Sequence, residues 1–461
     1  MDLREIEGYG VTPAPDLFGT DGIRSIAGQF PLEKPFVRKL GAAAGGIYRQ
    51  EVHDRKPFLL LGRDTRASGL WIAQAFAQGA SPAGVRVLDA GVISTPSLAF
   101  LVPKKEAMGG VMVSASHNPP EFNGIKLFSP HGSKCPDSWE RLIEKRVMEI
   151  IDLNTSKATL GHDARAVGDY LEFLRRTIPP RTSFKGLKLV VDCSNGSLSK
   201  IAPAFLRRLG IQVTAIGASP NGKNINVGLG SQHPEKMRAE IKRRRAHGGM
   251  AFDGDADRII LCDEKGQILD GDYIIACAAR CLQEDNLLAG NRVVTTVMAN
   301  LGLIKALRSW RVEIFVTPVG DRYVSDKLEE CGGVIGGEQS GHIIFHHLLP
   351  TGDGLLTGLQ ILAMLQRRGK PLSCIRTLFD KFPQVLENVR VREKRPLEEC
   401  PAVQAEIDYA KDALGDDGRV LVRYSGTEPL LRVMMEGPSK AKLQELTHRI
   451  VQKARFVLGG A

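Results

Sequence analysis

A chain of 461 residues exceeds what one hydrophobic core can serve and divides into roughly three or four domains. Its 43% hydrophobic and 25% charged residues exclude a disordered or fibrous protein, and the lack of any run of about 18 apolar residues excludes a membrane-spanning helix. The formal charge of +10 fits two kinds of partner, a nucleic acid or small phosphorylated anions gathered in a basic cleft, so its location has to decide.

The opening MDLREIEGYG is acidic and lacks the basic start and apolar core of a signal peptide. The eight cysteines, at 135, 193, 262, 277, 281, 331, 374 and 400, include no C-x-x-C pair and read as reduced, structural thiols. Both observations point to a cytoplasmic protein.

From residue 57 one pattern recurs three times. Each copy starts with an apolar strand: PFLLLGRDT at 57–65, GLKLVVDCSNG at 186–196, NRVVTTVMAN at 291–300. A helix-like stretch leads to a second strand: GVRVLDAG at 84–91, GIQVTAIG at 210–217, RVEIFVTPVG at 311–320. After another helical stretch comes a third: GGVMVSASHN at 109–118, GGMAFDGDADR at 248–258, CGGVIGGEQSGH at 331–342. Such alternation implies βαβ units and largely parallel sheets with helices on both faces. The densest basic run, KRRR at 242–245, falls on one of the helical stretches and reads as a solvated helix face. No aromatic-interleaved basic motif marks a nucleic-acid surface. From about 385 the pattern breaks, and the strands VLENVRVRE and GRVLVRYSGT with the amphipathic SKAKLQELTHRIVQKARFVL suggest a small α+β domain. The expected fold is three similar α/β domains with mixed, largely parallel sheets (1–167, 168–266, 267–384) plus a smaller C-terminal α+β domain (385–461), around a central cleft.

Ligands of such sheets bind beyond the carboxyl ends of the strands, where all three third strands run into polar loops. In DGDADR, Asp253, Asp255 and Asp257 alternate, so a tight loop can aim three carboxylates at one hard cation such as Mg²⁺. An EF-hand would place Glu264 at its last ligand position, but Arg258 stands where that loop needs Gly and the flanks read as strands. Carboxylates that merely cap a turn are the plainer alternative. In SASHNP, Ser116 near a cation and basic side chains suits a phosphoryl carrier; alternatively, Ser116 and His117 cap a helix or satisfy buried amides. In RYSGTEPLLR, Arg423 and Arg432 flank Ser425, Gly426 and Thr427, a set that suits phosphate and equally an ordinary hairpin turn.

Taken in order, FGTDGIR, SASHNP with NGIK, DGDADR, VGDRYV, GGEQSGH with TGDGLL, and RYSGTEPLLRVMMEG resemble the α-D-phosphohexomutases over essentially the whole chain, and within them the phosphoglucosamine mutases. The resemblance implies an intramolecular phosphotransferase of the isomerase class. It would interconvert glucosamine 6-phosphate and glucosamine 1-phosphate through a phosphoserine and a sugar 1,6-bisphosphate, for cell-wall precursor synthesis. It assigns the phosphoserine to Ser116 and Mg²⁺ to Ser116, Asp253, Asp255 and Asp257. Sugar binding falls to Glu338, Ser340, Arg258, Gly320 and Asp321, and the distal phosphate to Arg423, Ser425, Gly426, Thr427 and Arg432. Lys126, Arg24, His117 and His342 are the candidates for proton transfer, with Lys126 expected to have its pKa lowered by cationic neighbours. The resemblance also extends to a homodimer, and a C-terminal domain that swings over bound sugar about residues 380–390 is expected from the need to keep water from the phosphoserine.

Two departures accompany the resemblance: Ser25 replaces the usual Gly after FGTDGIR, and Phe122 the usual Asp before NGIK. They put rate and sugar preference in doubt more than reaction class. Gln339 favours an amino sugar over the alternatives, a phosphomannomutase or phosphoglucomutase. A noncatalytic sugar-phosphate or nucleic-acid binder, and a phosphatase, are further rivals.

Overall fold

A computed structural model describes residues 17–19, 21–151, 160–425 and 429–459. The chain divides into two compact units, residues 1–297 with 315–375, and residues 298–314 with 376–461.

The first unit carries three sheets. One contains β1 (Ile23–Ile26), β2 (Lys56–Arg63), β3 (Arg86–Val92), β4 (Ala107–Val113), β5 (Phe122–Phe128) and β6 (Gly161–His162), in the order β1-β5-β4-β2-β3-β6. The next contains β7 (Lys188–Asp192), β8 (Gln212–Ile216), β9 (Gly248–Phe252), β10 (Ile259–Asp263) and β11 (Ile268–Leu269), in the order β11-β10-β9-β7-β8. The third orders β12 (Arg292–Thr296), β13 (Glu313–Thr317), β14 (Ile335–Gly337) and β15 (Ile343–Phe345) as β13-β12-β14-β15.

Without their edge strands the three sheets share one arrangement, in which the first strand of each repeat lies between the second and the third. A fourth strand, which the three-strand sequence pattern did not contain, then returns antiparallel to the third: β5 on β4, β10 on β9, β15 on β14. The polar loops are therefore hairpin connections, not strand-to-helix crossovers. Each pins both of its ends in one sheet, which fixes a loop far better than one anchored strand would.

Burial explains the apolar runs. Every residue of β4 is buried, as expected of a central parallel strand covered on both faces. A Cβ at Gly109 would lie 2.2 Å from the Tyr48 ring, so the Gly-Gly pair in GGVMV makes room for that tyrosine. The Tyr48 hydroxyl in turn donates to Phe128 O at 2.8 Å, tying the helix Lys34–Glu51 to β5. KRRR lies at the end of the helix Glu235–Arg244 and is exposed, with Arg243 and Arg244 paired to Glu240, so it is the solvated face expected of it.

The second unit has an antiparallel sheet of β16 (Gln384–Arg390), β17 (Arg419–Tyr424) and β18 (Leu430–Glu436), ordered β16-β18-β17. The helix Lys440–Leu458 starts on a Ser439 cap, ends at left-handed Gly459, and buries Leu443, Leu446, Ile450 and Ala454 at helical spacing. The helix Leu301–Ser309 belongs to this unit through Glu436, whose buried carboxylate accepts from Asn300 Nδ2 at 2.9 Å, Leu301 N at 3.2 Å and Arg419 Nη2 at 2.6 Å. Among the described residues no disulfide forms and no helix is long and apolar enough to cross a membrane.

Candidate active site

The first two hairpin loops meet. Ser116 is 1% exposed and adopts a left-handed backbone with φ 50°. Its hydroxyl donates to Asp253 Oδ2 at 2.6 Å and lies 3.2 Å from His117 Nδ1. Asp253, Asp255 and Asp257 are buried and offer oxygens that all lie within 4.8 Å of one another, a donor set that suits a hard divalent cation. Asp255 Oδ1 and Asp257 Oδ1 are buried without a hydrogen-bond partner, so the trio retains lone pairs that a metal would take up. Burial, then repulsion from Asp257 and Asp255, pushes the Asp253 carboxyl well above its ordinary range, the electrostatic demand that such a cation relieves.

The strain at Ser116 is held by groups the sequence reading did not single out. Arg66, whose side chain is entirely buried, donates to the carbonyls of Ser116 at 3.1 Å, Asn118 at 2.8 Å and Phe122 at 3.0 Å, and also to that of Pro119. Asp64 orients its guanidinium at 2.9 Å and accepts from Ser114 Oγ at 2.6 Å. Asn226, from the second repeat, donates to Ser116 O and Asn118 O, each at 2.9 Å. Their visible signal is GRDTR at the end of the first strand of the first repeat, and PNGKNIN, after the second strand of the second repeat, is weaker still.

Lys126 contradicts the expectation of a lowered pKa. Burial does push its ammonium down, but Asp21, Asp255 and Asp257, at 2.8, 2.9 and 3.5 Å, outweigh it and hold it well above the usual lysine range. Asp21 is held low in turn: burial raises its carboxyl, and Lys126, Lys134 and Arg24 overcome that. Arg24 donates to Asn118 Oδ1 at 3.1 Å and pairs with Asp21. Burial, with Arg258 and Arg24 nearby, drops His117 to about 4, so its ring is neutral at physiological pH.

The third loop joins the same network. Glu338 accepts from Gly320 N at 3.1 Å and from Ser340 Oγ at 3.1 Å. Gln339 Nε2 donates to buried Asp272 at 3.1 Å, which fixes its amide. His342 Nδ1 lies 3.8 Å from Asp257, and in the neutral ring its Nε2 accepts from Gly352 N at 3.0 Å, a bond that protonation would break. Burial lowers this imidazole, while Asp257 and Asp321 raise it more, to about 8. Asp321 pairs with Lys134 at 2.6 Å. Arg258 Nε lies 3.9 Å from Asp257 Oδ1.

The backbone accommodates both departures. Ser25 lies in β1 opposite Asn123 with no left-handed backbone, and its hydroxyl donates to Phe30 O at 3.1 Å, so no glycine is needed there. Phe122 opens β5 and contributes its carbonyl to Arg66.

In the second unit Arg423 and Arg432 face each other across β17 and β18. Burial and the neighbouring Arg432 lower the Arg423 guanidinium below its ordinary value, a like-charge opposition that an anion relieves. Arg432 Nη2 reaches Ser425 Oγ at 3.4 Å, and Lys394, also absent from the sequence reading, donates to Ser425 O at 2.6 Å. Gly426 and Thr427 lie outside the described residues.

Family models match the chain four times in order: phosphoglucomutase/phosphomannomutase alpha/beta/alpha domain I at 15–154, domain II at 169–266, domain III at 270–382, and the C-terminal domain at 386–453. That series defines a phosphohexomutase-type protein. A phosphoglucomutase/phosphomannomutase family protein from Burkholderia thailandensis is similar in structure, with a TM-score of 0.80 at 25% identity over 96% of this chain and 97% of its own. N-acetylphosphoglucosamine mutase from Aspergillus fumigatus, solved with GlcNAc-6P and magnesium, shares the fold at a TM-score of 0.65 and 19% identity, covering 96% of each chain. Curated phosphoglucosamine mutases from Syntrophotalea carbinolica and Mesorhizobium japonicum are each 44% identical, over 96% and 95% of this chain and 98% of their own length. At that similarity the chain belongs to the phosphoglucosamine mutase family.

Proposed function

We propose that the chain interconverts glucosamine 6-phosphate and glucosamine 1-phosphate, with Ser116 as phosphoryl carrier, Mg²⁺ held by Asp253, Asp255, Asp257 and a phosphoryl oxygen on Ser116, and a sugar 1,6-bisphosphate as intermediate and activator. The observation that carries this reading is the Ser116 hydroxyl 2.6 Å from Asp253, beside two carboxylates whose buried Oδ1 atoms accept no hydrogen bond. When bound, the cation neutralises charge on the transferring phosphoryl group. The chain's own groups supply positioning and proton transfer.

In the forward half, the bond from Ser116 Oγ to phosphorus breaks as the sugar hydroxyl oxygen bonds to that phosphorus; the sugar hydroxyl's proton passes to a neighbouring base, and the released Ser116 oxygen takes up a proton. In the return half, the bond from the other sugar oxygen to its phosphorus breaks as Ser116 Oγ bonds to that phosphorus; the Ser116 hydroxyl gives up its proton, and the released sugar oxygen takes one up. Neutral His117 has its Nδ1 3.2 Å from the Ser116 hydroxyl, within reach of that proton. Arg24 serves as a fixed cation, because a guanidinium does not release its proton near neutrality. Lys126 keeps its charge against Asp21, and His342 has both nitrogens engaged.

Glu338 and Ser340, already oriented through Gly320 and each other, receive sugar hydroxyls. Arg258 and Asp321 stand beside them. Arg423, Ser425 and Arg432, with Gly426 and Thr427, take the distal phosphate, a role the opposed guanidinia favour. The Gln339 amide, steadied by Asp272, supports the amino-sugar reading. The eight free cysteines among the described residues are read as reduced thiols, as in the cytoplasmic setting proposed for the chain.

The test is a comparison of kcat/KM for glucosamine, glucose and mannose phosphates with Mg²⁺ and a 1,6-bisphosphate. Glucosamine phosphate is expected to lead, with residual turnover of glucose phosphate, because exchanging an amino group for a hydroxyl gives limited discrimination. Glucosamine phosphate as the poorest of the three would overturn the assignment.

A further inference from the structure

Domain-level contacts at the metal loop include one that none of the motifs predicted. Thr95, in VISTPS, begins the helix Thr95–Lys104 of the first repeat, behind a Ser94 cap that accepts from Ser97 N. It is 3% exposed and grips Asp255 of the second repeat twice: its hydroxyl donates to Oδ2 at 2.6 Å and its backbone N–H to the carbonyl at 3.0 Å. Lys126 Nζ donates to the same Oδ2 at 2.9 Å. The other oxygen, Oδ1, is buried and unpartnered. One face of the carboxylate is thus committed to protein donors and the other is open.

We propose that Thr95 is a positioning residue that restricts Asp255 to one-oxygen ligation and so biases the site toward small six-coordinate cations; the inference rests on the Asp trio being the cation site. A hydroxyl and an ammonium on Oδ2 occupy the lone pairs that a bidentate carboxylate would need. Mg²⁺ and Mn²⁺ take one oxygen per carboxylate in octahedral geometry, whereas Ca²⁺ accepts more ligands at longer distance and exploits bidentate carboxylates. Groups that orient a ligand in this way typically change metal affinity about 10–100-fold when removed.

The test measures Mn²⁺ binding to the full chain by the electron paramagnetic resonance of free Mn²⁺, with Ca²⁺ as competitor, for wild type, Thr95→Val, Thr95→Ser and Asp255→Asn. Thr95→Val is expected to weaken Mn²⁺ by about tenfold or more and to narrow the preference for Mn²⁺ over Ca²⁺. Thr95→Ser, which keeps the donor, is expected to match wild type. Should the valine variant not fold, Thr95→Ala removes the same hydroxyl with less bulk and carries the same expectation. The proposal is overturned if the variant lacking the hydroxyl binds both cations as wild type does, or if wild type itself does not distinguish them. Mn²⁺ binding that is absent from wild type, or unchanged in Asp255→Asn, would instead remove the trio as a cation site.

Discussion

The first and third hairpin loops sit at the same place in the same strand order, yet their left-handed turns fall on Ser116 (φ 50°) in one and Gly341 (φ 93°) in the other. A Cβ at Gly341 would lie 2.1 Å from Ile259 O, so the third loop uses the residue that its surroundings allow. The first loop instead forces a side-chain-bearing residue into a conformation that costs about 1–2 kcal/mol. It then holds that residue with the Arg66 guanidinium and the Asn226 amide. Between these two loops, strain falls on the turn that must carry a hydroxyl and not on the one that only needs to pass.

The largest expected effect comes from making the first loop like the third. Ser116→Gly relaxes the backbone but removes the carrier, so mutase activity should fall by about 10⁴-fold or more, while thermal melting should occur no lower than for Ser116→Ala. A glycine variant that melts well below the alanine variant would contradict the strain. The converse change, Gly341→Ala, should cost roughly 3 kcal/mol or more in urea unfolding, because the new methyl group meets backbone on the second repeat. A loss below about 1 kcal/mol would show that the third loop can shift, and the contrast with the first would lapse.

A smaller lever lies behind the third loop, at Asp353, which caps the helix Gly354–Arg367 and accepts from Tyr170 Oη at 2.8 Å. Burial raises this carboxyl from 3.8 to about 6, against the hydrogen bonds from Leu356 and Tyr170. A raised folded-state pKa means that the folded chain retains a proton the unfolded chain has lost. The group's contribution to stability is therefore full below its unfolded value and declines as pH rises through about 6. Asp353→Asn should flatten that slope by up to roughly 3 kcal/mol between about pH 4 and pH 6, read from urea unfolding across the range. An unchanged slope would place the proton elsewhere.

Much of this was legible in the sequence because it repeats. Three βαβ units show as three spaced apolar runs, and the loops show because SASHNP, DGDADR and GEQSGH follow the third run each time. The fourth strands were left out of the repeat: IKLF and IIF begin within a few residues of the polar stretch and offer no period of their own, and IILCD, though legible as a strand flanking DGDADR, has no such visible counterpart in the other two copies. Arg66, Thr95 and Asn226 were missed for a different reason. They act on backbone carbonyls or on another residue's carboxylate, contacts that depend on tertiary proximity across 50, 160 and 110 positions of chain. The charge state of Lys126 was misjudged because cationic neighbours were counted, while the carboxylates of Asp21, from a loop about a hundred residues earlier, and of Asp255 and Asp257 were not.

The central claim is that the hydroxyl of Ser116 carries the phosphoryl group. The most direct measurement is the intact mass of purified protein after incubation with Mg²⁺ and glucose 1,6-bisphosphate, with the modified peptide sequenced. One phosphoryl group on the peptide containing Ser116, absent from Ser116→Ala, is the predicted result; full mutase activity in Ser116→Ala, or a phosphoryl group on another residue, would contradict it.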